Sequence, residues 1–226
     1  MKNNKTNIPY ELDKVYCLDC FKFMSSMPDE CVDLIVADYP FSYYYDNELE
    51  KVTDRELVHS FVQKTATEFW RILKPDTNLA VVMQSIPAYG CMRFFSELFE
   101  VRNIVVLKGP IIWSWANLPF NYNFLLLLFK GQRSEKWKRI DGLTDYWEYS
   151  GGTRIQNEQL PSTVAERVIL MTTEVGDLVF DPFAGSGNID VVAKRLGRRF
   201  LACDASPKCV NLANRRVSGW QPKLFE

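Results

Sequence analysis

Residues 178–188 read LVFDPFAGSGN, a short apolar run followed by an acidic residue and a glycine turn. The apolar run at 178–180 predicts a β-strand, and residues 189–196, after the turn, have helical spacing. Gly185 and Gly187 let the backbone turn tightly and approach a ligand without a Cβ in the way. A strand, a tight turn and a helix in this order predict one unit of a parallel α/β sheet.

The same alternation of apolar runs and helical stretches continues along most of the 226 residues. Further strands are predicted at 14–18, 32–37, 79–83, 101–107, 124–129 and 200–203, and further helices at 21–27, 54–73, 88–99, 164–171 and 208–217. No helix separates 101–107 from 124–129, so a β-hairpin is predicted at an edge of the sheet. Fully apolar strands separated by helices indicate a doubly wound, mostly parallel α/β sheet. No Gly/Ser/Pro-rich linker interrupts the chain, and we predict a single domain over residues 1–226.

The overall charge gives no sign of a nucleic-acid partner. Lys and Arg number 27 against 28 Asp and Glu, so the net charge is −1 and any basic surface must be local. The densest basic stretch consists of Lys130, Arg133, Lys136, Lys138 and Arg139, with Trp137 among them. Without a further motif, this composition is more typical of a solvated loop.

Several classes of protein are disfavoured by composition. Residues 1–9 are polar and lack the apolar core of a signal peptide, and the longest apolar run, 124–129, is far too short for a bilayer span. We therefore expect a soluble, cytoplasmic protein without membrane contact and with reduced cysteines. Cys17 and Cys20 form a CxxC without a second pair at zinc spacing, so no metal site is predicted. The single histidine, His59, argues against a Ser-His-Asp hydrolase.

The glycine turn differs from the common phosphate-binding patterns. The third glycine of a dinucleotide fingerprint would fall at Asp190, and no Gly-Lys-Ser/Thr follows. Asp181, expected at the mouth of the turn, favours a ligand with an ammonium group. Asp204 ends the next strand, where a carboxylate is placed to accept hydrogen bonds from ribose hydroxyls. S-adenosylmethionine is a nucleoside with such a cationic end, although an ordinary strand-to-helix turn is the alternative interpretation.

A second polar turn follows the strand at 32–37 and reads Asp38-Tyr39-Pro40-Phe41. With residues 181–188 it resembles the amino-methylating DNA methyltransferases, whose catalytic motif is Asp-Pro-Pro-Tyr and whose cofactor motif is Asp-Pro-Phe-x-Gly-Ser-Gly. The catalytic motif comes first, as in the β group of that family. VYCLDCFKFM, FWRILKPDTNLAVVM and RRFLACDASPKCVNLANRRV resemble other family segments, so the likeness covers most of the chain. Tyr39 replaces the first proline of the motif, and Asn188 replaces the usual threonine.

The resemblance implies transfer of a methyl group from S-adenosylmethionine to the 6-amino group of adenine in DNA, with base flipping. It implies that the Asp38 carboxylate and the Tyr39 carbonyl accept hydrogen bonds from the amine. The flipped base would stack on Phe41, and Asp19 would contact the adenine of the cofactor. The implied cofactor-binding residues are completed by Asp181, Pro182, Phe183, Gly185, Ser186, Gly187, Asn188 and Asp204, with Pro161 from a later segment.

Several alternatives remain open from the sequence. The amino group of cytosine or an RNA base could be the target, and a catalytically weak subunit could bind cofactor or nucleic acid without turnover. Asp38 could simply be a carboxylate that caps a turn. The segment 130–154, with its basic residues and with Trp137, Tyr146, Trp147 and Tyr149, is the candidate for DNA recognition. Because this segment is short, a homodimer or partner subunit could supply further contacts.

Overall fold

A computed structural model describes residues 8–40, 55–112, 120–131, 137–149 and 160–219. The strands are β1 Lys14–Cys17, β2 Val32–Asp38, β3 Leu73–Gln84, β4 Glu100–Ile112, β5 Phe120–Lys130, β6 Tyr146–Glu148, β7 Leu178–Asp181 and β8 Arg199–Asp204. The helices are α1 Cys20–Ser25, α2 Arg55–Ile72, α3 Ser85–Ser96, α4 Ser162–Thr172, α5 Asn188–Arg195 and α6 Pro207–Gly219. Each helix and strand predicted from the sequence is present, and β6 is an addition.

The described strands form one sheet in the order β1-β8-β7-β2-β3-β5-β4-β6. Only β5 runs against its neighbours among these strands, pairing antiparallel with both β3 and β4. The predicted doubly wound, mostly parallel sheet is therefore confirmed, as is the antiparallel pairing of the two runs without a helix between them. The short strand β6 pairs with β4 and places the hairpin one strand inside the edge of the sheet.

The sheet is buried on both faces because helices cover each side. Successive side chains of a strand point to opposite faces, and β2 shows this clearly. Ile35 and Ala37 pack in the cluster shared with α1, α2 and α3. Leu34 and Val36 pack in the cluster shared with α4, α5 and α6. This two-sided burial explains why residues 34–37 of the strand are apolar on both faces.

The parallel strands bring the polar turns of the sequence to one edge. Asp38, Asp181 and Asp204 are the last residues of β2, β7 and β8, which are adjacent in the sheet. The end of β1 joins the same edge, because the Leu18 N–H donates to the Asp204 carbonyl at 3.1 Å. Ligands of doubly wound sheets bind beyond such carboxyl ends, so this edge is the place to look for a site.

Part of the candidate DNA-recognition segment has a structural role instead. Trp147 is 2% exposed, and its indole N–H donates to the Thr144 carbonyl at 2.6 Å. Lys130 is 7% exposed, and its ammonium donates to two backbone carbonyls, those of Trp70 and Leu73. The hypothesis that Trp147 and Lys130 contact DNA is therefore wrong, because both side chains are buried in the fold.

The beginning of the same segment follows β5 at the end of the sheet opposite the Asp38 turn. The Lys138 N–H donates to the Met171 carbonyl near the end of α4, and the Lys138 ammonium pairs with Glu174 at 2.7 Å. The start of α4 lies beside the Asp38 edge, so its end is a helix length away. Arg133, Lys136 and residues 150–154 lie outside the described residues. No helix among the described residues has the length and apolar character needed to cross a membrane.

Candidate active site

Asp38 lies at the end of β2 with a half-buried side chain. Its Oδ2 accepts a hydrogen bond from the Leu160 N–H at 3.1 Å. Leu160 stands just before α4, 122 positions away in the chain, so a tertiary contact orients the carboxylate. The adjoining Pro161 is at the N-cap position of α4, and its carbonyl accepts from the N–H of Val164 at 2.9 Å.

Tyr39 extends into the core from the same turn. Its side chain is 7% exposed, and its hydroxyl is hydrogen-bonded to the Thr65 hydroxyl of α2. Its N–H donates to the Val82 carbonyl at 3.2 Å, a bond that proline could not make. The ring centre lies 5.0 Å from that of Phe183 in the glycine turn. Burial raises the pKa of the Tyr39 hydroxyl, which therefore serves as a neutral anchor.

Pro40 and Phe41 complete this motif. Pro40 is exposed at the edge of the sheet. Phe41, predicted to stack on the flipped base, lies outside the described residues, so its role remains a prediction.

The glycine turn has the backbone that its sequence predicts. Gly185 has φ +52° and Gly187, the N-cap of α5, has φ +77°. A Cβ on Gly187 would lie 2.8 Å from the Cβ of Ala213, so the close approach of α6 requires glycine there. A Cβ on Gly185 would meet nothing closer than the Phe183 carbonyl at 3.9 Å. That side of the turn is therefore open.

Two of the aspartates predicted to bind the cofactor also accept hydrogen bonds from backbone N–H groups near the turn. Asp204 is half-buried, and its two oxygens accept from the N–H groups of Gly185 at 2.9 Å and Ser206 at 2.7 Å. Asp19 is exposed and caps α1 by accepting from the N–H of Phe21 and of Lys22, both at 3.1 Å. A carboxylate oxygen has two lone pairs, so Asp204 keeps acceptor capacity for a hydroxyl of a ligand.

Asp181 differs from the expectation that it lies at the mouth of the turn. Its side chain is fully buried; Oδ1 accepts from the Phe183 N–H at 3.0 Å, and Oδ2 has no hydrogen-bond partner. Asp190 of α5 is also buried, and neither of its oxygens has a hydrogen-bond partner. Burial, and then the neighbouring Asp190, raise the pKa of Asp181 well above its usual range. Burial likewise raises the pKa of Asp190, with the nearby Arg216 acting in the opposite direction.

The rest of the motif is held from α6 and β8. Arg216 Nη1 donates to both the carbonyl and the hydroxyl of Ser186 at 2.7 Å, and its Nη2 donates to Asn188 Oδ1 at 3.0 Å. Pro182 is buried, and its carbonyl accepts from the Cys203 thiol at 3.5 Å. Sequence reasoning missed Arg216. The only signal was its helical spacing, one turn after the buried Ala213.

Tyr149 is a further neighbour of the catalytic turn. It follows β6, its N–H donates to the Lys108 carbonyl at 3.0 Å, and its ring occupies the space where a Cβ on Gly109 would lie. Burial, and then the Asp38 carboxylate, raise the pKa of the Tyr149 hydroxyl. Because β6 runs parallel to β4 and in the same direction as β2, Tyr149 lies at the same edge of the sheet as Asp38.

The rim of the edge fits a cationic nucleoside. Its solvent-accessible or half-buried carboxylates belong to Asp19, Asp38 and Asp204. The open side of Gly185 leaves room for a ligand next to the turn, and the half-buried ring of Phe183 offers an apolar contact. A polyphosphate would be repelled by this set of carboxylates, whereas the sulfonium and ammonium of S-adenosylmethionine would be attracted.

Comparison with known proteins agrees with this arrangement. The Type II methyltransferase M2.DpnII of Streptococcus pneumoniae is 27% identical over 273 residues, covering 96% of this chain and 97% of the relative. The PvuII DNA methyltransferase, which is cytosine-N4-specific, has a TM-score of 0.77 at 20% identity, covering 93% of this chain and 87% of that one. M1.HpyAVI in complex with SAM has a TM-score of 0.70 at 18% identity, and the match covers 90% of this chain and 98% of that one.

The two structural matches establish the fold, and the family is established by sequence. The family model for DNA methylases, which spans N6 and N4 amino methyltransferases, matches residues 32–215. This range includes both the Asp38 turn and the glycine turn. The chain therefore belongs to the DNA methylase family.

Proposed function

We propose that this DNA methylase transfers a methyl group from S-adenosylmethionine to the exocyclic 6-amino group of an adenine flipped out of DNA. The observation that carries the proposal is the position of Asp38. Its half-buried carboxylate stands at the carboxyl edge of the sheet, is oriented by the Leu160 N–H, and neighbours the glycine turn. A carboxylate fixed in this way is ready to accept hydrogen bonds from an amine.

The cofactor would be held by the turns after β1, β7 and β8. When bound, S-adenosylmethionine supplies an electrophilic methyl group on a positively charged sulfur. Asp204 would accept hydrogen bonds from the ribose hydroxyls, and Asp19 would contact the adenine. Pro182, Phe183, Gly185, Ser186 and Gly187 would form the wall of the pocket, and Asp181 would support that wall from within.

The amine needs help because its lone pair is conjugated into the ring of the base. Asp38 and the Tyr39 carbonyl would accept hydrogen bonds from the two N–H groups of the amine. These bonds would orient the lone pair and stabilise positive charge as it develops on the nitrogen. Tyr39 lacks the fixed φ of proline, but its N–H is bonded to Val82 and its hydroxyl to Thr65. These two contacts would fix the carbonyl in place of the proline ring.

Adenine is preferred to cytosine because the motif begins with aspartate, whereas in the family resemblance the cytosine-specific branch more often begins with serine. DNA contacts would come from the part of the recognition segment around Tyr149, which lies at the same edge of the sheet as Asp38. The segment 130–154 is short, so a second copy or a partner subunit would complete the contacts.

The decisive experiment follows labelled methyl groups from S-adenosylmethionine into unmethylated genomic DNA and identifies the product nucleoside by mass spectrometry. We expect N6-methyladenine. N4-methylcytosine would keep the mechanism and change the base, and a product only in RNA would change the polymer. Absence of label from all these substrates, with the cofactor bound, would contradict the proposal and favour a subunit without turnover.

Two variants separate chemistry from cofactor binding in the same assay. Asp38→Ala should reduce single-turnover methyl transfer at least about 100-fold, because the amine loses its main acceptor, while the dissociation constant of the cofactor stays unchanged. Asp204→Ala should first weaken cofactor binding, by about 10-fold, because a charged hydrogen-bond acceptor is lost. A fully active Asp38→Ala variant would contradict the mechanism.

A further inference from the structure

We propose that Asn188 is a positioning residue for Asp38 and acts through the backbone of Leu160. The inference rests on the proposed function of Asp38, and it assigns the side chain of Asn188 to the catalytic turn rather than to the cofactor. In this proposal, Arg216 sets the orientation of the Asn188 amide.

The contacts form a continuous chain between the two turns. Arg216 Nη2 donates to Asn188 Oδ1 at 3.0 Å, and Asn188 Nδ2 donates to the Leu160 carbonyl at 2.6 Å. The Leu160 N–H then donates to Asp38 Oδ2 at 3.1 Å. Leu160 thus links the two turns. Its carbonyl is bonded to Asn188 of the glycine turn, and its N–H is bonded to the Asp38 carboxylate.

The chemistry of this position requires both ends of an amide. The oxygen of Asn188 faces a guanidinium, which has only donors, and the nitrogen faces a carbonyl, which has only acceptors. The contact with Arg216 therefore settles which end of the amide points to Leu160. Arg216 is itself fixed by two further bonds to Ser186, so the orientation is inherited from the formed glycine turn.

Leu160 is a suitable link because it has little freedom of its own. Its side chain is 5% exposed and packs in the core cluster with α4 and α5. With the side chain and the carbonyl both held, the position of the Leu160 nitrogen is fixed, and its N–H, directed at Oδ2, limits rotation of the Asp38 carboxylate. Small displacements of a catalytic group are costly in rate, about 100-fold for roughly 1 Å.

The test uses two variants that differ in which contact they lose. Asn188→Ala loses both contacts of the amide. Asn188→Asp keeps an acceptor for Arg216 but places an oxygen against the Leu160 carbonyl, so it breaks only the link to Asp38. We expect both variants to lower single-turnover methyl transfer about 10-fold to 100-fold, with the cofactor dissociation constant within about 3-fold of wild type.

Asn214→Asp is the matched control. Asn214 holds the backbone of Val15 in the same manner, its Oδ1 accepting at 3.1 Å and its Nδ2 donating at 2.8 Å, on the β1 side of the sheet. This variant loses the same kind of amide-to-carbonyl bond far from Asp38. It should lower the melting temperature by a similar amount and leave the transfer rate of the folded protein at the wild-type value.

A second readout does not depend on activity. The amide resonance of Leu160 in a ¹⁵N spectrum should shift in Asn188→Asp and in Asp38→Asn, and should stay in place in Asn214→Asp. An unshifted resonance in Asn188→Asp, or a transfer rate equal to that of Asn214→Asp, would overturn the inference. Failure of the wild-type protein to methylate DNA would instead contradict the proposed function, because the spectrum would still report the contact.

Discussion

The two turns of the site reach the same edge of the sheet but are held in different ways. In the glycine turn, Gly187 has a positive φ and Asp204 accepts from the N–H of Gly185, 19 positions earlier. In the Asp38 turn, the contacts come from Thr65, Val82 and Leu160, on three other elements or segments. Both turns have tertiary contacts, but the first also needs a positive φ at Gly185 and Gly187, which restricts its residue types, whereas no such backbone requirement is seen at Asp38, Tyr39 or Pro40 in the second.

This difference bears on how freely each turn can vary in sequence. A backbone with positive φ accepts few residues besides glycine, so the glycine turn has little freedom to vary. A turn held by tertiary contacts can change its residues if the surroundings change with it. Tyr39 in place of proline is such a change, because Thr65 and Val82 accommodate it.

Tyr39→Pro would test this account most severely. It restores the first proline of the family motif, but it removes the N–H bonded to Val82 and leaves the space of a buried aromatic ring empty. We expect a loss of about 4 kcal/mol in the free energy of unfolding, measured by urea denaturation. Tyr39→Phe is the control, and because Thr65 keeps bonds to its own helix, it should lose only about 1 kcal/mol. A Tyr39→Pro protein as stable as wild type would show that the tertiary anchors are dispensable.

Gly187→Ala tests the requirement for glycine in the glycine turn. The variant must accept φ +77° and also push its Cβ against Ala213 of α6, so we expect a loss of about 3 kcal/mol and weaker cofactor binding. Gly142→Ala has nearly the same φ, +76°, with nothing near the new Cβ. It should lose only about 1 kcal/mol. Equal losses measured by thermal unfolding would show that the contact with α6 is unimportant.

Asp190→Asn is expected to have the smallest effect, and its sign depends on pH. The pKa of Asp190 is raised in the folded protein, so above its usual value the folded state holds more protons than the unfolded state. Wild-type stability therefore falls as pH rises toward the folded pKa. Because asparagine does not titrate, the melting temperature of the variant should rise relative to that of the wild type between pH 4 and pH 8. A melting-temperature difference that is the same at both pH values would contradict the role assigned to this carboxyl.

The sequence predicted the sheet well because burial on two faces leaves a strong pattern. The run at 178–180 is apolar throughout and the run at 32–37 is apolar except for Asp33, and parallel pairing follows from the helices between strands. The three-residue β6 was not predicted, because Tyr146 and Glu148 are exposed and only Trp147 is buried. Such a strand is defined by its pairing with β4 rather than by its composition.

The sequence by itself determined the fold class and predicted the candidate site at the two turns. The fold class follows from apolar periodicity, the glycine turn from backbone freedom, and the Asp38 turn from its resemblance to the family motif, all of which are properties of the sequence. Only the tertiary structure decided that Asp181 is buried, that Lys130 and Trp147 belong to the core, and that Leu160 holds Asp38. Those facts depend on contacts between residues far apart in the chain, and residue type alone does not specify which partners folding brings together.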